Sequence, residues 1–176
     1  MSVATFDRTT VFRDFVEPNL DYVWSALLRL GVRSNDAEDV LHDLLLEVHA
    51  KLDRWESDRP IRPWLFGFAF RAACQHRRKL GRRREWVGDV DVMSTEPTVD
   101  QRFSDAQQAE LVRRALDELD EDKRAILIAY ELDELPMKEI AHALGIPLNT
   151  AYSRLRHGRE ELGRRLRQRG LSEAKQ

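Results

Sequence analysis

The residues best suited to recognition chemistry lie together in PMKEIAHALGIPLNTAYSRLRHGREEL, Pro136 to Leu162. At a helical repeat Asn149, Ser153, Arg156, His157 and Glu160 fall on one side, and Ala151, Leu155, Leu162 and Leu166 on the other. Amide, hydroxyl, guanidinium and imidazole groups on one face can pair with base edges and phosphates. Just upstream, Ile140, Ala141 and Leu144 form the apolar stripe of a shorter helix, and small Ala141 lets a neighbour approach closely. Gly145 stands where a left-handed residue ends that helix, and Pro147 suits the first turn of the next. This is the helix-turn-helix plan, whose second helix enters the major groove of DNA. An ordinary helical hairpin with a solvated basic face explains the two helices, but not the glycine, the small residue and the long basic helix together.

Such a pair needs a scaffold, and the rest of the chain reads as helix almost throughout. Alternating strand patterns are missing, and the six prolines and eight glycines sit mostly at boundaries. The pattern predicts helices over roughly 9–31, 36–53, 60–84, 104–118, 121–132, 137–144 and 148–168. Gly31 ends the first, after a break at Pro18. Ser34 or Asn35 caps the second, with Glu38 reaching back, and Asp58 or Arg59 with Pro60 opens the third. From about Val87 to Phe103 the sequence is polar and acidic and has no helical period. The expected fold class is all-α: two small helical domains, residues 1–86 and 104–176, joined by a flexible acidic linker, residues 87–103.

Two of these helices carry a face that a core does not require. In the second, Ala37, Val40, Leu41, Leu44, Val48 and Leu52 form a broad core stripe, with Asp39, His42, Asp43, Ala50 and Asp53 opposite. Leu46 falls among those polar residues. A leucine ringed by acids, on a helix that already has a core face, suits a protein-binding surface. In the third, the aromatics and aliphatics from Trp64 to Ala72 cover most of the circumference, and Trp64, Leu65 and Phe68 are assigned to the core. Gly67, Arg71, Cys74 and Arg78 fill the one gap, and the basic strip continues into Arg77, Lys79 and Arg82 to Arg84. Basic side chains beside aromatics fit a groove for phosphates and unstacked bases. A solvated charge run is the plainer alternative.

Composition narrows the class without choosing a function. The chain has 176 residues, 42% of them hydrophobic and 34% charged, with a formal net charge of −2. That charge is partitioned. Residues 71–84 carry seven bases and no acid, and residues 137–176 carry nine bases and four acids. Residues 36–58 carry eight acids and two bases, and residues 91–136 thirteen acids and five bases. Basic surfaces supply sequence-independent DNA affinity through counterion release. Acidic ones repel DNA and suit a protein partner or solvent. A single cysteine excludes an intramolecular disulfide framework and fits a reducing cytoplasm. No apolar run approaches the roughly 20 residues that span a bilayer, and the N-terminus lacks a signal-peptide pattern. Two rival functions remain: a stand-alone helix-turn-helix regulator binding duplex DNA, and an enzyme or metal protein. The first leaves the acidic helix and the basic aromatic strip without a role. Against the second, His42, His49 and nearby Glu38 lack a metal-ligand spacing, and Cys74 lacks a nucleophile motif.

Residues 20–80, through DAEDVLHDLLLEVHAKLDRW and RPWLFGFAF, resemble the second conserved region of bacterial extracytoplasmic-function sigma factors. Residues 111–162, through LDELDEDKRAILIAYELDELPMKEIAHALGIPLNTAYSRLRHGREEL, resemble their fourth region. The resemblance implies a protein that binds core RNA polymerase and carries it to a promoter, with no catalytic residue and no cofactor. The N-terminal half would dock on the beta-prime clamp helices through Asp39, His42, Asp43 and Leu46. It would also melt the minus-ten element and hold the opened strand with Trp55, Arg59, Arg71, Gln75 and Arg78. The C-terminal half would read the minus-thirty-five element through Asn149, Thr150, Tyr152, Ser153, Arg156 and His157, and would contact the beta flap. An anti-sigma protein would wedge between the halves. Four positions depart from the family pattern: Arg71 where Asn is usual, Tyr152 where Lys or Arg is usual, His157 where Arg is usual, and Ala151 where Val is usual.

Overall fold

The computed structural model describes residues 7–87 and 105–169, so the expected linker lies outside the described residues except for Val87. The described residues are almost wholly helical, as the all-α expectation requires. Asp7 starts α1 (Arg8–Val11), its carboxylate accepting from the Thr9 amide at 3.1 Å and the Thr10 hydroxyl at 2.5 Å. The chain then widens into a π turn over Phe12–Val16 and tightens to a 3-10 turn at Glu17–Asn19, around Pro18. The break expected at Pro18 is therefore a change of pitch rather than an end. Next come α2 (Leu20–Arg29), α3 (Ser34–Ala50), a short 3-10 turn at Leu52–Arg54 and α4 (Ile61–Val87).

The C-terminal half is α5 (Asp105–Asp117), α6 (Glu121–Leu127) running on into a π turn over Ile128–Leu132, α7 (Met137–Leu144) and α8 (Leu148–Gln168). Asp120 caps α6, accepting from the Asp122 amide at 3.1 Å. Gly145, at φ 67°, ends α7. Its own amide bonds to the His142 carbonyl and the Ile146 amide to the Ala141 carbonyl, the paired bonds of a left-handed helix end. Two sequence expectations need correction. No side chain caps α3, which follows directly on extended Arg33 with neither Ser34 nor Asn35 in the capping role. Pro147 precedes α8 in an extended conformation (ψ 145°) instead of opening its first turn. α3 thus begins two residues before the expected position, whereas α8 begins at Leu148 as expected, with Pro147 just outside it.

The buried side chains of the two halves join in one apolar cluster that takes in Val23, Leu27, Leu44, Val48, Leu65 and Phe66 together with Ala125–Ala129, Ile140 and Leu155. Close backbone approach makes this possible. A Cβ at Gly67 on α4 would lie 2.7 Å from the Ala143 carbonyl oxygen of α7, so α7 sits in a notch that only glycine leaves open. Polar groups complete the seam. The Leu30 carbonyl, one of the orphan acceptors at the end of α2, receives Arg77 at 2.9 Å and, from the other half, Arg124 at 3.1 Å. Arg124 is 2% exposed and also binds the Asp117 carboxylate at 3.1 Å. Asp133 accepts from the Tyr22 hydroxyl at 3.0 Å and from Arg29 at 2.6 Å. Burial raises the pKa of that carboxyl, an effect that the charge of Arg29 opposes.

Candidate nucleic-acid interface

The face of α8 assigned to DNA is open. Asn149, Tyr152, Ser153, Arg156 and His157 are exposed, with Tyr152 at 51%, while Thr150 is half-buried. Ala151 and Leu155 are buried on the opposite side, against α6 and α7, so the helix is pinned by its apolar stripe and presents its polar one. Its basic residues divide by position. Arg154 pairs with Asp122 at 2.7 Å, Arg159 with Glu131 at 2.5 Å and Arg165 with Glu161 at 2.6 Å. Arg156 has no ion-pair partner among the described residues, and His157 lies 3.5 Å from Glu160. The acids of the C-terminal half thus neutralise the flanks of the recognition helix and leave its centre free.

The α3 face behaves as its pattern predicts. Asp39, His42, Asp43 and Leu46 are all exposed, Leu46 at 60%, while Ala37, Leu44 and Val48 are buried behind them. Asp39 and Asp43 also form one wall of a groove of about 260 Å³, whose other wall is Ala72, Gln75, His76 and Lys79 of α4. The α3 face assigned to a protein partner and part of the basic strip are therefore neighbours, a relation that two separate helical wheels do not reveal.

The strip and the Trp55–Arg59 loop depart most from expectation. Arg71, Gln75 and Arg78 are exposed, but Gly67 and Cys74, from the same sequence gap, are buried under the C-terminal half. Arg71 stacks over the Phe68 ring with its guanidinium 4.5 Å from the centroid, and desolvation there lowers its pKa. Trp55 is not an open stacking platform. It is 8% exposed, its ring packs against Phe15 at 4.8 Å, and its Nε1 donates to the Arg59 carbonyl at 3.2 Å. Arg59 reaches across the seam to Glu139, Nε at 3.1 Å and Nη2 at 2.7 Å from the same carboxylate oxygen. A cleft lined by Trp55, Arg59, Trp64, Glu139, His142 and Ala143 closes over the loop. Sequence reading missed Asp133, Glu139 and Arg124 as partners across the seam. The one signal available was Arg124 leading into the apolar run Ala125–Ala129.

Burial and a hydrogen bond to Glu121 push the Cys74 thiol up to about 12, far from a thiolate nucleophile. Among the described residues no group of three or more His, Cys, Asp or Glu side chains is placed to hold a metal ion, and no helix is long and apolar enough to cross a membrane.

Comparison with known proteins places both halves. Residues 15–83 match the family described as Sigma-70 region 2, and residues 109–162 the family described as Sigma-70, region 4. The chain is 23% identical over 168 residues to the ECF RNA polymerase sigma factor SigW of Bacillus subtilis, covering 89% of each. It is 26% identical over 149 residues to the ECF RNA polymerase sigma-E factor of Escherichia coli, covering 78% of each. The fold is similar to that of the sigma factor RpoE from Bartonella quintana, solved in complex with the anti-sigma factor NepR. The TM-score is 0.70 at 25% identity, over 89% of this chain and 96% of that one. A recognition helix with a free centre, an acidic leucine-centred face and both regional families in order have one common explanation: this chain belongs to the extracytoplasmic-function sigma factors.

Proposed function

We propose that this protein acts in the cytoplasm, where it binds core RNA polymerase, carries it to promoters and opens them without a cofactor or covalent chemistry of its own. The α8 set Asn149, Thr150, Tyr152, Ser153, Arg156 and His157 reads the upstream element in the major groove. Asp39, His42, Asp43 and Leu46 dock on the beta-prime clamp helices, and the C-terminal half meets the beta flap. Trp55, Arg59, Arg71, Gln75 and Arg78 hold the strand released when the downstream element melts. The division of labour follows residues 1–86 and 104–176. The observation that carries this reading is the coexistence of a free recognition face and an exposed acidic face around Leu46 on one chain, because a regulator that binds duplex DNA alone has no use for the second. An anti-sigma protein is a further partner, supported by the RpoE neighbour having been solved with one.

The direct test is transcription in vitro with core polymerase on fragments of the source genome. Discrete start sites are expected only when chain and polymerase are both present, with weak duplex binding by the chain alone. If no host promoter fragment yields a transcript, the reading is wrong. Leu46→Glu combined with Asp39→Arg is expected to abolish polymerase binding while leaving the melting temperature nearly unchanged, since both residues lie opposite the core stripe. A large fall in melting temperature would put that face inside a packed interface instead.

A further inference from the structure

We propose that Leu148 and Tyr152 select thymine in the upstream element, by packing their exposed apolar surface on its C5 methyl group in the major groove. The inference deepens the duplex-reading role of α8 given above and rests on it. Among the described residues the large hydrophobic side chains left exposed are Phe15, Leu46, Leu132, Leu148 and Tyr152. Two of these stand on α8 one turn apart, Leu148 at 42% and Tyr152 at 51% exposure. Side chains at that spacing lie about 6 Å apart on one side of a helix, against about 3.4 Å per base pair, so the two reach neighbouring pairs. The core has no use for either. Ala151 and Leu155 turn the apolar side of α8 inward, and Leu144 and Ile146 fill the preceding turn against the buried cluster.

The start of α8 also lacks the groups that read a G·C pair. From Leu148 to Ser153 the helix carries no charge. Its first arginine, Arg154, is drawn aside to Asp122 at 2.7 Å. Arg156, the first guanidinium with no ion-pair partner among the described residues, comes about two turns after Leu148. Guanine is read by a cationic fork on O6 and N7, and the cytosine amino group by a carboxylate, and this turn offers neither. Asn149, exposed in the same turn, suits the fork onto adenine N6 and N7 instead. The N-terminal residues of a recognition helix are the ones that meet base edges. An apolar side chain placed there has one apolar group to find on a base, the methyl of thymine. Leu148, Asn149 and Tyr152 together therefore favour A·T pairs, while Arg156 is left for guanine or phosphate farther along the groove.

Deoxyuridine tests this directly, because it keeps the pairing of thymine and removes only the methyl. A promoter fragment that the full chain and core polymerase transcribe in vitro is randomised across its upstream element, and the sequences retained by the holoenzyme are read. A·T pairs are expected at adjacent positions. Replacing each of those thymines by deoxyuridine is expected to weaken holoenzyme binding about fourfold, the worth of one buried methyl. Leu148→Ala and Tyr152→Ala are each expected to lose that sensitivity at one position and keep it at the other, with melting temperatures confirming that both variants fold. Tyr152→Arg is expected to move the preference at its position to guanine. Equal binding of thymine and deoxyuridine templates by the wild-type chain overturns the proposal without recourse to any variant. So does a selected element with no thymine on either strand. Sensitivity that survives at every position in both alanine variants also overturns it, since another side chain then meets the methyl. No preference at any upstream position overturns the reading of α8 beneath it as well.

Discussion

The two surfaces assigned to DNA are held in opposite ways. On α8 Arg154, Arg159 and Arg165 are paired with acids of their own half, and Arg156 stands exposed between them with no ion-pair partner among the described residues. Around Trp55–Arg59 the same kinds of group are engaged: the indole is bonded and packed, and the guanidinium is paired with Glu139 of the opposite half. The first surface is exposed as it stands, and the proposed contact with duplex needs no rearrangement of it. The second becomes available only if the seam between α4 and α7 opens.

The largest expected effect comes from removing the residue that ties the two arrangements together. Arg124→Ala leaves the Leu30 carbonyl and Asp117 without their buried partner, and its cost is expected to be about 3 kcal/mol, read from chemical denaturation. A loss below about 1 kcal/mol would mean that the seam is held by apolar packing and that Arg124 adds little. Next in size is Arg156→Ala, at about 2 kcal/mol if the guanidinium forks onto a base. That loss should appear in promoter binding and vanish on templates whose upstream element is scrambled. An equal loss on both templates would reduce Arg156 to a phosphate contact and erase the specificity attributed to the open face.

Arg71→Ala should have the smallest effect on the fold and a selective effect on function. Losing the stacking on Phe68 at 4.5 Å is expected to cost under about 1 kcal/mol of stability. Closed-complex binding should be spared, while permanganate reactivity of thymines near the start site falls and a pre-melted template restores it. Normal opening by this variant would leave Arg71 as a structural cation on Phe68 and would remove it from the strand-capture set.

Periodicity carried much of this protein. The stripe Ala37, Leu44, Val48 emerges buried and Leu46 exposed because a face pattern on one helix depends only on spacing of 3.6 residues per turn. Gly145 ends α7 because only a residue tolerant of φ 67° fits there at low cost. The outward set on α8 follows from Ala151 and Leu155 being its only inward-facing small and apolar choices near the turn. Arg71, Tyr152 and His157, where the resemblance implies departures from the family pattern, are all exposed.

Contacts between the halves belong to the tertiary structure alone. Tyr22 and Asp133 are 111 positions apart, and Arg59 and Glu139 are 80 apart. Each of these residues looks like an ordinary surface polar group in its own helix, since a local pattern records which way a side chain faces and not what meets it. Gly67 and Cys74 were read as part of an exposed gap because small residues on an apolar helix look the same whether they face solvent or a closely packed backbone. Burial of the loop likewise depends on α7 docking in that gap, a long-range event with no local cause. The sequence by itself therefore determined most of the helices, two candidate DNA surfaces and the family. Which of those surfaces is open and which is covered was decided by the packing of one half on the other, because charge pairing and close approach arise only when distant segments meet.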